Sequence, residues 1–198
     1  MIAFRLFKYI SPLKRRWSSK IMAFVLATLA LFLSLLLIPV SNADNNHEKR
    51  ALKLMAAYMY NFVNYTEWPQ QSFKKDETLT IGILGRDPFG DVFDRVEGSY
   101  IRGKRLVIRR FLSSTYIHDC HMLFIDRSAK EPLKQILTSA NEKNVLTISD
   151  IDGFAASGGI VEFYYTDNNI RFKINVTEAN QSNLKISSKI LELATIVK

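Results

Sequence analysis

The chain has 198 residues, 47% of them hydrophobic, and its single cysteine excludes an intrachain disulfide scaffold. The formal net charge of +8 invites a nucleic-acid or membrane-surface reading, but six of the 27 Lys and Arg residues (Arg5, Lys8, Lys14, Arg15, Arg16, Lys20) lie in the first 43 positions, where no Asp or Glu occurs. The rest carries 21 basic against 19 acidic residues, too small an excess to hold a phosphate backbone, and no nucleic-acid partner is expected.

The basic opening is followed by an apolar run over residues 21–38. Pro39 ends that run, and Ser41-Asn42-Ala43 places small residues where a signal peptidase reads them, so residues 1–43 are expected to be a secretory leader. The alternative is an uncleaved inner-membrane anchor, because the run just reaches spanning length. The leader holds no cysteine for lipid attachment. Residues 44–198 show no linker, repeat or shift in composition and are expected to form one domain.

Ala51, Leu52, Met55, Ala56, Met59, Phe62 and Val63 recur at helical spacing and predict a helix over 47–66, halted by Trp68-Pro69. A strand is expected over 79–84. Asp87-Pro88 then reads as the cap and first residue of a short helix through Phe89, Val92, Phe93 and Val96. A turn over 101–104 leads into a strand over 105–112, and an apolar run follows over 121–125. Ser128 is expected to cap a helix through Leu133, Ile136 and Leu137, with the next strand over 145–148. After a small-residue loop over 153–159, strands over 160–165 and 170–176 form an antiparallel hairpin. Leu184, Ile186, Ile190, Leu191, Leu193, Ala194 and Val197 predict a closing helix. The alternation gives an α/β class: a single domain with a mainly parallel or mixed sheet, helices on both faces and a C-terminal antiparallel hairpin.

Chemistry has few places to live. His118-Asp119-Cys120-His121 is the one cluster of metal-type or nucleophilic residues. A tetrahedral zinc site needs four ligands, and His47 is the only other His or Cys. An extended backbone would also put His121 on the face opposite His118 and Cys120. The cluster reads as a strand entrance with a buried thiol, beside the alternative of a thiol nucleophile with a His base. Gly85-Arg86-Asp87-Pro88-Phe89-Gly90 has the two glycines of a phosphate loop, but Asp91 and Val92 stand where Lys and Ser/Thr are needed. Such a turn is still where small ligands settle in α/β folds, which makes Arg86, Asp87 and Phe89 candidate contacts. Arg171, Lys173 and Asn175 alternate with Ile170, Phe172 and Ile174, so Arg171 and Lys173 lie on a polar, cationic strand face suited to solvent or to an acidic partner. Tyr58, Tyr60, Phe62, Tyr65 and Trp68 form an aromatic segment, mostly core by spacing. No Gly-x-Ser-x-Gly elbow occurs, and no catalytic, metal or cofactor site is expected.

Several segments, in order, resemble the YfiR-like periplasmic regulators. They are Ala56-Ala57-Tyr58-Met59-Tyr60-Asn61-Phe62 leading to Glu67-Trp68-Pro69, then Gly85 to Gly90, Cys120-His121-Met122-Leu123-Phe124-Ile125, Gly153-Phe154-Ala155 with Gly158-Gly159-Ile160, Arg171-Phe172-Lys173-Ile174-Asn175, and Leu184-Lys185-Ile186-Ser187-Ser188-Lys189. The resemblance implies a non-enzymatic, homodimeric periplasmic protein. It implies repression of an inner-membrane diguanylate cyclase through that enzyme's periplasmic domain, with lower cyclic-di-GMP and less biofilm polysaccharide. It also implies sequestration by an outer-membrane OmpA-type lipoprotein. Disulfide-based redox control, also implied by the family, does not transfer, because Cys120 has no partner within the chain. Two other readings stand beside this one: a periplasmic small-ligand-binding protein using the Gly85 to Gly90 turn and the Arg171/Lys173 face, and a thiol-dependent enzyme using Cys120.

Overall fold

The computed structural model describes residues 42–73, 78–129, 131–166 and 169–197, together with Phe24 and Thr28, which are helical. The basic segment and the rest of the apolar run of the expected leader lie outside the described residues. The chain divides into two compact units, Met1–Asp44 and Asn45–Lys198, and the second carries the fold. Among the described residues no helix is long and apolar enough to cross a membrane.

Helix α1 (Asn42–Tyr65) runs into β1 (Thr66–Glu67), and β2 (Thr78–Leu84) opens the main sheet. β3 (Tyr100–Ile101) and β4 (Lys104–Phe111) make a tight hairpin, followed by β5 (Met122–Ile125), α2 (Leu133–Asn141), β6 (Leu146–Ser149), β7 (Val161–Thr166) and β8 (Asn169–Asn175). The chain ends with α3 (Val176–Gln181), β9 (Lys185–Ile186), α4 (Ser188–Leu191) and β10 (Thr195–Val197). The eight-stranded sheet has the order β10-β8-β7-β6-β5-β2-β4-β3, and β1 pairs separately with β9. Strands β4, β2, β5, β6 and β7 run parallel to one another. β8 turns antiparallel to β7, as the hairpin pattern predicts, and β10 pairs in parallel with β8.

Alternation along each parallel strand sorts the core onto two faces. Leu79, Ile81, Ile83, Met122, Phe124, Leu146, Ile148, Phe163 and Phe172 pack under α1 against Met55, Met59, Phe62 and Val63. On the opposite face Leu84, Leu123 and Ile125 pack against Ile136, Leu137 and Ala140 of α2. Phe62 is fully buried, with its ring centroid 5.1 Å from Phe172 in an edge-on contact. Burial of each such α1 side chain stabilises the fold by about 1.5–3 kcal/mol, so the helix is held by its apolar face.

Three expected elements differ. The helix after Asp87-Pro88 is only a 3-10 turn at Val92–Arg95. The Asp87 carboxylate accepts from Phe89 N at 2.8 Å, closing a local turn, and Gly90 bends the chain at φ 55° before a helix can propagate. Ser128 does not cap α2; Pro132 precedes that helix, and the Ser128 hydroxyl accepts instead from Arg86 N at 2.8 Å. The closing helix is replaced by β9, the single turn α4 and β10. Asn183 at φ 54° interrupts the pattern, Ser187 caps α4, and the β-branched run Thr195-Ile196-Val197 completes the sheet.

Candidate functional site

In the parallel core, β4-β2-β5-β6-β7 has the order 2-1-3-4-5 of a flavodoxin-like sheet, which places a topological switch between the carboxyl ends of β2 and β5. The expected site residues Arg86, Asp87 and Phe89 follow β2 at this position. Here the segment packs closely on its own neighbours. Gly85, at φ 94°, has no room for a Cβ, which would lie 2.9 Å from Ser128 Oγ and 3.1 Å from Ala129 N. Asp87 Oδ2 accepts from Arg110 Nε at 2.7 Å, and the Arg110 guanidinium reaches on to Gly90 O at 3.3 Å. Phe89 is buried, edge-on to Phe93 and Phe124. Arg86 alone of the three is exposed.

Arg171 and Lys173 lie on β8, four strand spacings from β2, so the two groups are separated by about 19 Å across the sheet and do not line one pocket. Both point to the face opposite α1. Lys173 pairs with Glu162 across the ladder and sits 5.2 Å from the centroid of the Tyr164 ring, while Arg171, opposite Tyr164, is exposed.

The Cys-His cluster is not the extended segment that alternation assumed, because a 3-10 helix over Ser114–Asp119 takes in His118 and only Cys120 and His121 follow on extended backbone, on opposite faces. Cys120 is buried beneath α2, and its Sγ donates to Ile117 O at 2.9 Å. Burial pushes the thiol far up, with the Asp119 charge adding to the effect and Arg109 opposing it. Such surroundings disfavour the thiolate. His121 faces the other way. Its Nδ1 accepts from Thr80 N at 3.1 Å, and its ring stacks on Phe73 with centroids 4.7 Å apart. Among the described residues no three His, Cys, Asp or Glu side chains gather as a metal site.

Sequence reasoning missed the cavities where α1 ends. One of about 430 Å³ is lined by Thr66, Trp68, Phe73, Arg102 and Lys104 among others. Its neighbour of about 290 Å³, beside Tyr65, Lys185 and Ser187, shares Glu67 and Arg102 with it. The only sequence signal was the aromatic segment ending at Trp68, because Arg102 and Lys104 reach it through the β3–β4 hairpin.

The sequence profile of the YfiR/HmsC-like family matches residues 52–195, from the first buried turns of α1 to the start of β10. The chain belongs to the YfiR/HmsC-like family. That family is known for periplasmic regulators of diguanylate cyclases, and it is regulatory rather than enzymatic. No curated protein matches the chain. Among solved structures, a conserved domain protein from Vibrio cholerae O1 biovar El Tor strain N16961 aligns with a TM-score of 0.50 at 11% identity. The alignment covers 74% of this chain and 60% of that one, and at such identity it shows the fold alone. The ABC domain in complex with L-Trp from Streptococcus pneumonia aligns with a TM-score of 0.46 at 10% identity over 76% of this chain and 60% of that one, which carries no inference. The YfiR/HmsC-like chain thus spans about 60% of the length of either solved structure.

Proposed function

We propose that this YfiR/HmsC-like protein is exported by a signal peptide over residues 1–43 and binds the periplasmic domain of an inner-membrane diguanylate cyclase, holding it inactive and lowering cyclic-di-GMP. The observation that carries this reading is the family match over residues 52–195. Repression works by differential affinity. A protein that binds the inactive cyclase more tightly than the active one shifts the population toward inactivity by that ratio, and an outer-membrane OmpA-type lipoprotein that sequesters it reverses the shift. The working form is a homodimer. Of the candidate contacts, Arg86 and Arg171 are exposed and meet the partner, whereas Asp87, Phe89 and Lys173 hold those segments in place.

The test is co-purification with the periplasmic domain of the cyclase whose deletion lowers cyclic-di-GMP in the same cell. The parent protein is retained on that domain, and the Arg86→Glu, Arg171→Glu double variant is lost from it while remaining folded. Failure of the parent protein to bind any such domain counts against the reading.

A further inference from the structure

We infer that the cavity bounded by Thr66, Trp68, Phe73, Arg102 and Lys104 is a binding site for a small monocarboxylate with an apolar body. The inference goes beyond the regulatory reading and does not depend on it.

Three observations carry it. The first is an unused buried hydroxyl. Thr66 lines the cavity and is fully buried, and among the described residues its Oγ1 has no hydrogen-bond partner. Buried polar atoms are mostly satisfied in folded proteins, and of the few unsatisfied ones here Thr66 Oγ1 belongs to a residue that lines the cavity, where a ligand can supply the bond.

The second is cationic charge with no ion-pair partner among the described residues. Among the described residues neither Arg102 nor Lys104 is in an ion pair. The Lys104 ammonium stands 4.1 Å from the centroid of the Phe73 ring, and Arg102 donates to Thr66 O at 3.2 Å. Arg102 does this from a left-handed backbone at φ 51°, in a two-residue hairpin turn where Asn or Gly is the favoured occupant. The strained position delivers a guanidinium to the cavity mouth.

The third is the shape and lining. The cavity, of about 430 Å³, is bounded on its apolar side by Val63, Leu79 and Ile101, with Trp68 fixed by donation from its indole N–H to His121 O at 3.0 Å. Its lining is apolar on one side and polar on the other, and clefts of this size with a few convergent polar groups are a common form of small-molecule site. Glu67 lies in the same wall. Among the described residues one carboxylate stands against two cations, a balance that favours a monocarboxylate over a phosphate dianion. The guanidinium matches the carboxylate, and the apolar wall takes the tail.

The experiment is isothermal titration of the protein, as recovered from the cell, with octanoate, octanol and inorganic phosphate, so no cyclase is involved and failure here leaves the regulatory reading untouched. The expected result is saturable octanoate binding, with no heat from octanol or phosphate. Lys104→Gln weakens it about tenfold or more, the scale of a lost charge-assisted hydrogen bond. Thr66→Val also weakens it without lowering the melting temperature, because the isostere removes an unsatisfied group. Neither residue lines the neighbouring cavity that shares Arg102, so both variants locate the ligand. Absence of octanoate binding overturns the inference, as does equal binding of octanol, binding of phosphate alone, or parental affinity in both variants.

Discussion

Lys173 Nζ lies 2.7 Å from Glu162 Oε1, directly across the antiparallel β7–β8 ladder. Glu162 is 2% exposed, and its other oxygen accepts from Ala155 N at 3.0 Å. Asn175 adds a donation from Nδ2 to Ala155 O at 2.9 Å. One buried carboxylate therefore ties the hairpin to the loop over residues 153–159. Removing Lys173 while leaving Glu162 buried is strongly unfavourable. Lys173→Met is predicted to lower stability by about 2–3 kcal/mol in urea denaturation, since the lysine is itself partly solvated.

The same pair sets an acid limb. Burial acts to raise the Glu162 carboxyl, but the Lys173 and Ala155 hydrogen bonds and the Lys173 charge outweigh it and hold it below its ordinary value of 4.5. A depressed folded value means that the contribution is complete above the unfolded value and is lost as pH falls through the folded one. Unfolding free energy measured from pH 7 to pH 3 is predicted to fall below about pH 4.5. Glu162→Gln flattens that fall. An acid limb as steep in the variant as in the parent contradicts the assignment.

Gly159 is required for want of space. A Cβ there would run into the Phe154 ring, which is itself fully buried. Gly159→Ala is predicted to cost about 3 kcal/mol, the upper range for overpacking, and to loosen the 153–159 loop toward limited proteolysis.

Cys120 is predicted to be inert in the folded chain. With its thiol pushed far up by burial and bonded to Ile117 O, it is expected to resist a soluble disulfide reagent at pH 8 and to react fully in denaturant. Cys120→Ala, which keeps the site apolar, is predicted to retain biological effect, a result that removes a thiol-dependent enzyme from consideration. Rapid labelling of the native protein contradicts this.

Much of the fold was legible because its elements bury one periodic face. The Met55–Met59–Phe62–Val63 stripe, the run in β2 and the alternation of Ile170, Phe172 and Ile174 each meet the core as their spacing predicts. The last segment was not legible. Leu184 and Ile190 are buried, yet Leu184 lies just before β9 and Ile190 in α4, and helical spacing cannot distinguish one helix from short pieces lying along the same surface. Ser128 read as a helix cap because its use, a hydrogen bond from Arg86 N, joins residues distant in sequence. The cavity beside Thr66 escaped for the same reason, since its cations come from a turn that sequence places 36 residues away.

Asp87 is predicted to matter more for its turn than for its ion pair. Arg110 is about half exposed, so Arg110→Ala costs under about 1 kcal/mol. Asp87→Ala also strands Phe89 N beside a buried ring and is predicted to cost about 1–2 kcal/mol, with the difference read from paired urea curves.

The most direct measurement is cellular cyclic-di-GMP in the parent strain, in a deletion of this gene, and in the deletion complemented with or without residues 1–43. The account predicts a rise on deletion that only the form carrying residues 1–43 reverses. Unchanged cyclic-di-GMP on deletion, in cells that make the protein, contradicts repression of a diguanylate cyclase.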